Sequence, residues 1–461
     1  MPDSLTSGSG NGDQTGFERS PTNSEPADPN KRATLWKPAR ILLVVFARFI
    51  TATGNILLSI VITQAAGLGT LGPFTVLVSG STFAILMAKG GLGVAYLRAG
   101  SRMQLRQDAQ SQGLILSRIQ RVVLTRSFAL AVLTGLICLV YLGASDAFNI
   151  VTAALLATTI FSLASLSIVS EHFKSKSMVD LAMLLTPGLV SLLTSLAIAG
   201  FVFSFGVTDP LDLSSIVLVY ASLCALVAVI AQLLVRWNQK ASLSNLGSEK
   251  FNDGDLNEIE DEIKSSSSNF LKIHLLTYGS FSGLFIVAAF FFSDEELGMI
   301  RLSERLAAPV LISLSIINPL IAARLSQLYG AKQIQKLRSV VWNTSKVCIA
   351  LTILLVIASL IGIPYLLKAL IEDDSTALAL IVVMLAGNAI NLAFGPLGMV
   401  LSMANREKAL QKISTWTMMA ALLLCLGLSY FFGSYGFCLA IALSYTIKNL
   451  MMYYVYNKEF K

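Results

Sequence analysis

Apolar residues in this chain come in runs long enough to cross a membrane, each closed by a short polar or glycine-rich connection. The first two runs form a hairpin from Ile41 to Leu97, turned at Gly67-Leu68-Gly69-Thr70-Leu71-Gly72-Pro73. Further runs lie near 122–142, 150–170, 179–205 and 213–235, then near 271–293, 301–323, 341–363, 376–402, 411–432 and 434–456. A helix of about 20 apolar residues spans roughly 30 Å of hydrocarbon. The pattern therefore predicts an all-α polytopic membrane protein with about twelve transmembrane helices.

The polar stretches divide the chain. Residues 1–37 are rich in Ser, Gly, Asn, Pro and Asp and read as a disordered cytoplasmic tail, without the apolar core of a signal peptide. Residues 38–235 form a first six-helix bundle, 236–270 a charged linker containing Ser265 to Ser268, and 271–461 a second six-helix bundle. In each half the loop after the second span is basic, from Arg98 onward and from Arg324 to Arg338. Such an internal repeat around a midplane cavity is a recurring transporter plan, although channels carry repeats as well.

Loop charges set the orientation. Asp146, Asp209, Asp212, Asp294, Glu295, Glu296, Glu372, Asp373 and Asp374 fall in one set of loops, with Lys368 nearly alone among cations. Almost every other Lys and Arg falls in the alternate set, and Lys31, Arg32, Lys37 and Arg40 precede the first span. The positive-inside rule then places both termini and the linker in the cytoplasm. The same rule accounts for the net charge of +7, so no nucleic-acid partner is implied.

Composition agrees: 461 residues, 54% hydrophobic and 13% charged, exclude a soluble enzyme. The five cysteines lie in apolar runs without CxxC spacing, and there are only two histidines. No metal site, cofactor or disulfide framework is expected. No Walker lysine loop is present, and no outer loop is long enough to hold a catalytic domain.

Charges inside the spans are the candidate chemistry. Arg48 and Lys89 sit at similar depth in the two arms of the hairpin, and Arg48, Thr51, Asn55 and Ser59 form one polar stripe. Intramembrane cations usually face a bundle interior, where this pair can cradle an anionic head group. The alternative is snorkelling of long side chains to the interface. Arg301 and Arg305, one turn apart at the outer end of the eighth span, offer a second, outward-facing anion station, or else a local ion pair with Glu304. The tenth span carries Asn388, Asn391 and Gly395-Pro396, which suit sugar contacts or a kinked helix contact. His274, Tyr278, Phe281 and Phe285 form an aromatic stripe read as core packing. The expected substrate-binding set is Arg48, Lys89, Arg301, Arg305, Asn55 and Asn391.

The hairpin with Gly67 to Phe74 and the later Gly90-Gly91-Leu92-Gly93 ending in Arg98 resembles the start of Wzx-type polysaccharide flippases. So does Leu302-Ser303-Glu304-Arg305-Leu306-Ala307, running on to Asn318 and Ala323-Arg324-Leu325. The string Asn391 to Leu401 is similar to that family's Gly-Pro segment. The resemblance covers nearly all of the chain after residue 40. It implies the V-shaped fold of the multidrug/oligosaccharidyl-lipid/polysaccharide (MOP) exporters, the superfamily that also holds the MATE transporters. It implies flipping of an undecaprenyl-diphosphate-linked oligosaccharide of the O-antigen, capsule or exopolysaccharide type across the bacterial cytoplasmic membrane. Its expected partners are that lipid-linked glycan, the bilayer, and polysaccharide polymerase or assembly proteins. The alternatives are a MATE-like drug or cation antiporter and a membrane glycan polymerase or ligase. Cations in the cavity suit an anion, acids would suit a drug cation, and a long outer loop would suit the enzyme.

Overall fold

The computed structural model describes residues 38–105, 109–142, 150–176, 178–206, 209–243, 253–371, 374–404 and 406–460. The tail expected at 1–37, residues 244–252 of the linker, and Asp146, Glu372 and Asp373 of the expected outer loops lie outside them. The first half contains α1 (Pro38–Ala66), α2 (Leu68–Lys89), α3 (Leu92–Leu105), α4 (Ala109–Leu142), α5 (Ile150–Ser175), α6 (Val179–Leu184), α7 (Pro187–Phe205) and α8 (Leu213–Leu243). The second contains α9 (Asp253–Gly279), α10 (Leu284–Ala288), α11 (Asp294–Ala307), α12 (Pro309–Gly330), α13 (Ile334–Leu370), α14 (Asp374–Ala393), α15 (Leu397–Met403) and α16 (Glu407–Phe460).

Among the described residues, nine helices are long and apolar enough to cross a membrane: α1, α2, α4, α5, α7, α8, α13, α14 and α16. The last holds two crossings, because Gly433 leaves helical geometry at φ 56° and Gly436 comes back against the Leu428 carbonyl. Two further crossings are broken so that neither half is a long apolar helix by itself. The seventh bends after Gly279 and resumes as α10, and the eighth breaks between α11 and α12 at Ala308-Pro309, where Pro suits a first helical position. These bring the crossings to about twelve, as the apolar runs predict. Exposed Phe128, Phe203, Phe205, Tyr365 and Leu423 would be a liability in water and are ordinary on a lipid-facing surface.

Side-chain chemistry explains the breaks. Ser293 caps α11 by accepting from the Glu296 amide at 3.3 Å, while the Glu296 carboxylate accepts from the Ser293 amide at 3.0 Å. This capping box, with Asp294 and Glu295 in the first turn, starts a helix where the hydrophobic run alone would not. Gly395 at φ 71° followed by Pro396 ends α14 and starts α15. The linker is helical in its second part, since α9 runs without interruption into the seventh span. Its Glu260 pairs with Arg118 of α4 at 2.9 Å and with Lys264 at 3.0 Å. The Arg118 hydrogen bond, then Lys264, holds the Glu260 carboxyl below the usual carboxylate range.

The apolar core has three clusters. One joins α1 to α8 and takes in Ile263, Leu302, Leu306, Ile363, Leu367, Ala377 and Ile381 from the second half. Another lies around Phe285, Phe437 and Met384, and the third around Leu325, Leu401 and Met452.

The contact that positions the site is between α2 and α11. A Cβ on Gly72 would fall on the Asp294 carbonyl, and one on Gly298 on the Leu68 carbonyl. Each glycine thus faces a carbonyl one turn back in its partner, the reciprocal pattern of two parallel helices in register at 72 and 298. Small residues permit this approach, and any side chain would prevent it.

Candidate functional site

Below that backbone contact the two halves enclose a cavity of about 380 Å³. Its cationic wall consists of Lys89 from α2, Lys174 from α5, and Arg301 and Arg305 from α11. Glu171 is the one carboxylate among its lining residues. Asn55, Ser59 and Thr75 add polar groups, while Leu71, Phe74, Ile85 and Tyr220 supply apolar wall.

The register of α2 and α11 orders these cations by depth. Arg301 is level with Thr75 and Arg305 with Ser79, so Lys89 lies ten positions, or about 15 Å, further along α2. The cavity therefore has a rim at Lys89, Glu171 and Lys174 and a deeper group at Arg301 and Arg305.

At the rim, Lys174 donates to Glu171 at 2.8 Å, which leaves Lys89 without an ion pair among the described residues. Lys89 ends α2, where the helix carbonyls favour a cation, and Gly90 at φ 53° closes that end. Behind the rim the Tyr96 hydroxyl meets His172 Nδ1 at 2.7 Å, fixing α3 against α5. In the deeper group, Arg301 donates to Glu304 at 2.8 Å, and Arg305 lies 3.7 Å from the same carboxylate oxygen. One acid thus serves two guanidinium groups. Arg301 is 8% exposed and sits over the Phe285 ring at 4.8 Å, so its direction is held by stacking as well as by charge.

Of the expected substrate-binding set, Lys89, Arg301, Arg305 and Asn55 line this cavity, and Ser59 of the polar stripe joins them. The two arginines had been expected at a separate outward station; the structure puts them on the same cavity as Lys89. Helix spacing gives depth along one helix but not which helix stands opposite, and the α2–α11 approach decides that. Arg48 is half-buried on α1 and outside the lining, with its Nε buried and without a partner among the described residues. Asn391 is outside the lining too and accepts from Asn449 at 2.8 Å. Asn388 donates to the Ala307 carbonyl at 2.9 Å, tying α14 to the end of α11.

The polar stripe of α1 has a structural partner. Asn55 accepts from Ser191 of α7 at 2.9 Å, and Gly54 meets Gly188. Within the aromatic stripe, Phe281 stacks on Tyr445 at 4.3 Å and Phe285 packs edge-on against Phe437, while Tyr278 donates to the Ser79 carbonyl at 2.6 Å.

Sequence reasoning missed Lys174 and Glu171, because they follow the fourth apolar run and read as loop charge. It also missed Lys448, a lysine within an apolar run whose Nζ lies 5.3 Å from the Phe281 ring centre. The criterion that found Lys89 would have found it. No cluster of His, Cys, Asp or Glu able to hold a metal occurs among the described residues.

No family model matches the chain, and no curated protein matches it in sequence. Its structure is similar to that of a multidrug resistance MATE family transporter of the MOP superfamily in an inward-facing conformation, with TM-score 0.62 and 15% identity over 90% of this chain and 98% of that one. It is also similar to the lipid II flippase MurJ in an inward closed conformation, with TM-score 0.61 and 12% identity over 90% of this chain and 87% of that one. A MOP superfamily transporter from Pyrococcus furiosus, described as having a binding pocket of reverse polarity, gives TM-score 0.54 and 15% identity over 90% and 97% of the two chains. This chain, a multi-pass membrane protein, has the all-helical transporter fold of the MOP superfamily.

Proposed function

We propose that the protein flips an undecaprenyl-diphosphate-linked oligosaccharide from the inner to the outer leaflet of a bacterial cytoplasmic membrane by alternating access. The observation that carries this reading is the convergence of Lys89, Lys174, Arg301 and Arg305 on one cavity with Glu171 as its lining acid. Burying an unpaired anion costs many kcal/mol, and cations already placed at the wall offset that cost. Lys89, which has no ion pair among the described residues, meets the diphosphate first. The Arg301–Glu304–Arg305 group lies about 15 Å deeper and receives it next. Asn55 and Ser59 offer hydrogen bonds to sugar. Arg48 serves as a cation near the entrance, outside the cavity proper, and Asn391 supports the wall through Asn449.

The Gly72–Gly298 contact closes one end of the cavity. With charge alternation as the guide, the Lys89 end faces the cytoplasm, together with both termini and the linker. Substrate binding neutralises the cations, and the difference in affinity between two states biases the halves toward the other opening. Polymerase and assembly proteins take over the product outside. Reporter fusions at residue 250 and after Lys461 are expected to read cytoplasmic; an external reading at either contradicts this orientation.

The second reading, a drug or cation antiporter, draws on the MATE likeness and on the acids Glu171 and Glu304. Both acids are already held by cations, so the cavity retains positive charge. Binding separates the two readings. The purified protein is expected to bind an undecaprenyl-diphosphate glycan and to lose roughly 10–100-fold in affinity in Lys89→Leu, the worth of one charge-assisted hydrogen bond. Tight binding of an organic cation, unaffected or improved by Lys89→Leu, would overturn the flippase.

A further inference from the structure

A second cavity, of about 390 Å³, lies between α12 and α13, where the chain turns from one helix into the other. Two cations stand at it, Arg324 from α12 and Lys336 from α13, and neither has an ion pair among the described residues. Ser339, Asn343 and Thr344 follow Lys336 at i+3, i+7 and i+8, one face of α13 turned to the same space. Hydroxyls deeper in the same helix bond the carbonyl one turn back, as Thr352 does to Cys348 at 2.8 Å. These three polar groups make no such bond among the described residues, so their donors are free for a ligand. Ile321, Leu328 and Val340 complete the wall with apolar surface.

The level of this groove is marked by Trp342, which is 63% exposed with the Lys346 ammonium 5.3 Å from its ring centre. Exposed Trp and Lys in this arrangement belong to the membrane–water boundary. Cations, hydroxyl and amide donors, then apolar wall, at headgroup depth, match one ligand chemistry in that order.

We propose that the α12–α13 groove binds an anionic phospholipid, with the phosphate between Arg324 and Lys336. The glycerol headgroup meets Ser339, Asn343 and Thr344, and the first acyl carbons lie along Ile321, Leu328 and Val340. Basic pockets between membrane helices recognise anionic headgroups in this way. The site is separate from the Lys89 cavity and independent of what that cavity transports. A lipid held there occupies the outer surface of the second half beside α12, which continues α11 and its two arginines.

The test is a lipid titration of the full-length protein in detergent, read by native mass spectrometry. Phosphatidylglycerol is expected to bind more tightly than phosphatidylcholine, and the double variant Arg324→Gln, Lys336→Gln is expected to lose roughly thirtyfold in that affinity. Val340→Phe, which fills the groove and keeps both charges, is expected to give a similar loss, while Lys346→Gln leaves binding unchanged. Inorganic phosphate at matching concentration is expected not to compete. Equal binding of the two lipids, retention in the double variant, or full competition by inorganic phosphate would each overturn the assignment.

Discussion

At the scale of residues, the distinction that matters is between a cation that lines the cavity and one that only sits at membrane depth. Lys89 is of the first kind and Arg48 of the second, although they share a hairpin and a similar distance from its ends. The sequence shows depth because 1.5 Å per residue is fixed, and it shows a stripe because 3.6 residues make a turn. It does not show which neighbour the stripe meets. The α1 stripe meets α7, through Asn55 with Ser191, Gly54 with Gly188 and Gly188 with the Thr51 carbonyl, and Arg48 lies one turn before that contact begins. The substitutions should therefore differ. Lys89→Leu is expected to stop surface glycan assembly at normal protein level, and Lys89→Arg to keep part of it, since charge remains but shape changes. Arg48→Leu is expected to slow assembly several-fold without abolishing it. Measuring surface glycan and membrane-fraction protein for each variant checks this. Equal loss in Lys89→Leu and Arg48→Leu would contradict the distinction.

At the scale of elements, the long apolar runs were legible because a lipid-facing helix has no other way to satisfy its backbone. The breaks were partly legible. Gly395-Pro396 announces itself, whereas the bend after Gly279 has no proline and rests on the amides of Ser280, Phe281 and Gly283 turning back to the Leu276 and Tyr278 carbonyls. The α2–α11 contact was hidden, because Gly72 and Gly298 become meaningful only once the two helices stand side by side. That contact makes a sharp prediction. Gly72→Leu forces α2 and α11 apart and costs about 1–3 kcal/mol of overpacking in this conformation. The expected result is a protein still inserted in the membrane but with cysteine reporters near the Leu68 end more reactive to an impermeant thiol reagent. Unchanged reactivity would show that the helices tolerate the side chain and that the contact does not hold the end closed.

At the scale of the whole molecule, the two halves share one cationic cavity and approach closely at Gly72 and Gly298. In the proposed function the contact sets which end is closed, and the cavity sets what is carried. The all-helical fold and the approximate number of crossings were legible from the spacing of the apolar runs. The unity of the site was not, since Arg301 and Arg305 lie more than two hundred residues from Lys89 and meet it only through the packing of α11 on α2. The central claim is that this cavity conducts an anionic lipid-linked glycan because its wall is positive. The most direct measurement is flipping of a fluorescent undecaprenyl-diphosphate oligosaccharide in proteoliposomes, comparing the native chain with a Lys89→Leu, Arg301→Gln, Arg305→Gln variant. The native chain is expected to expose the lipid on the far leaflet, and the triple variant, folded and inserted, to lose that activity. Flipping by the variant at the native rate would contradict the account.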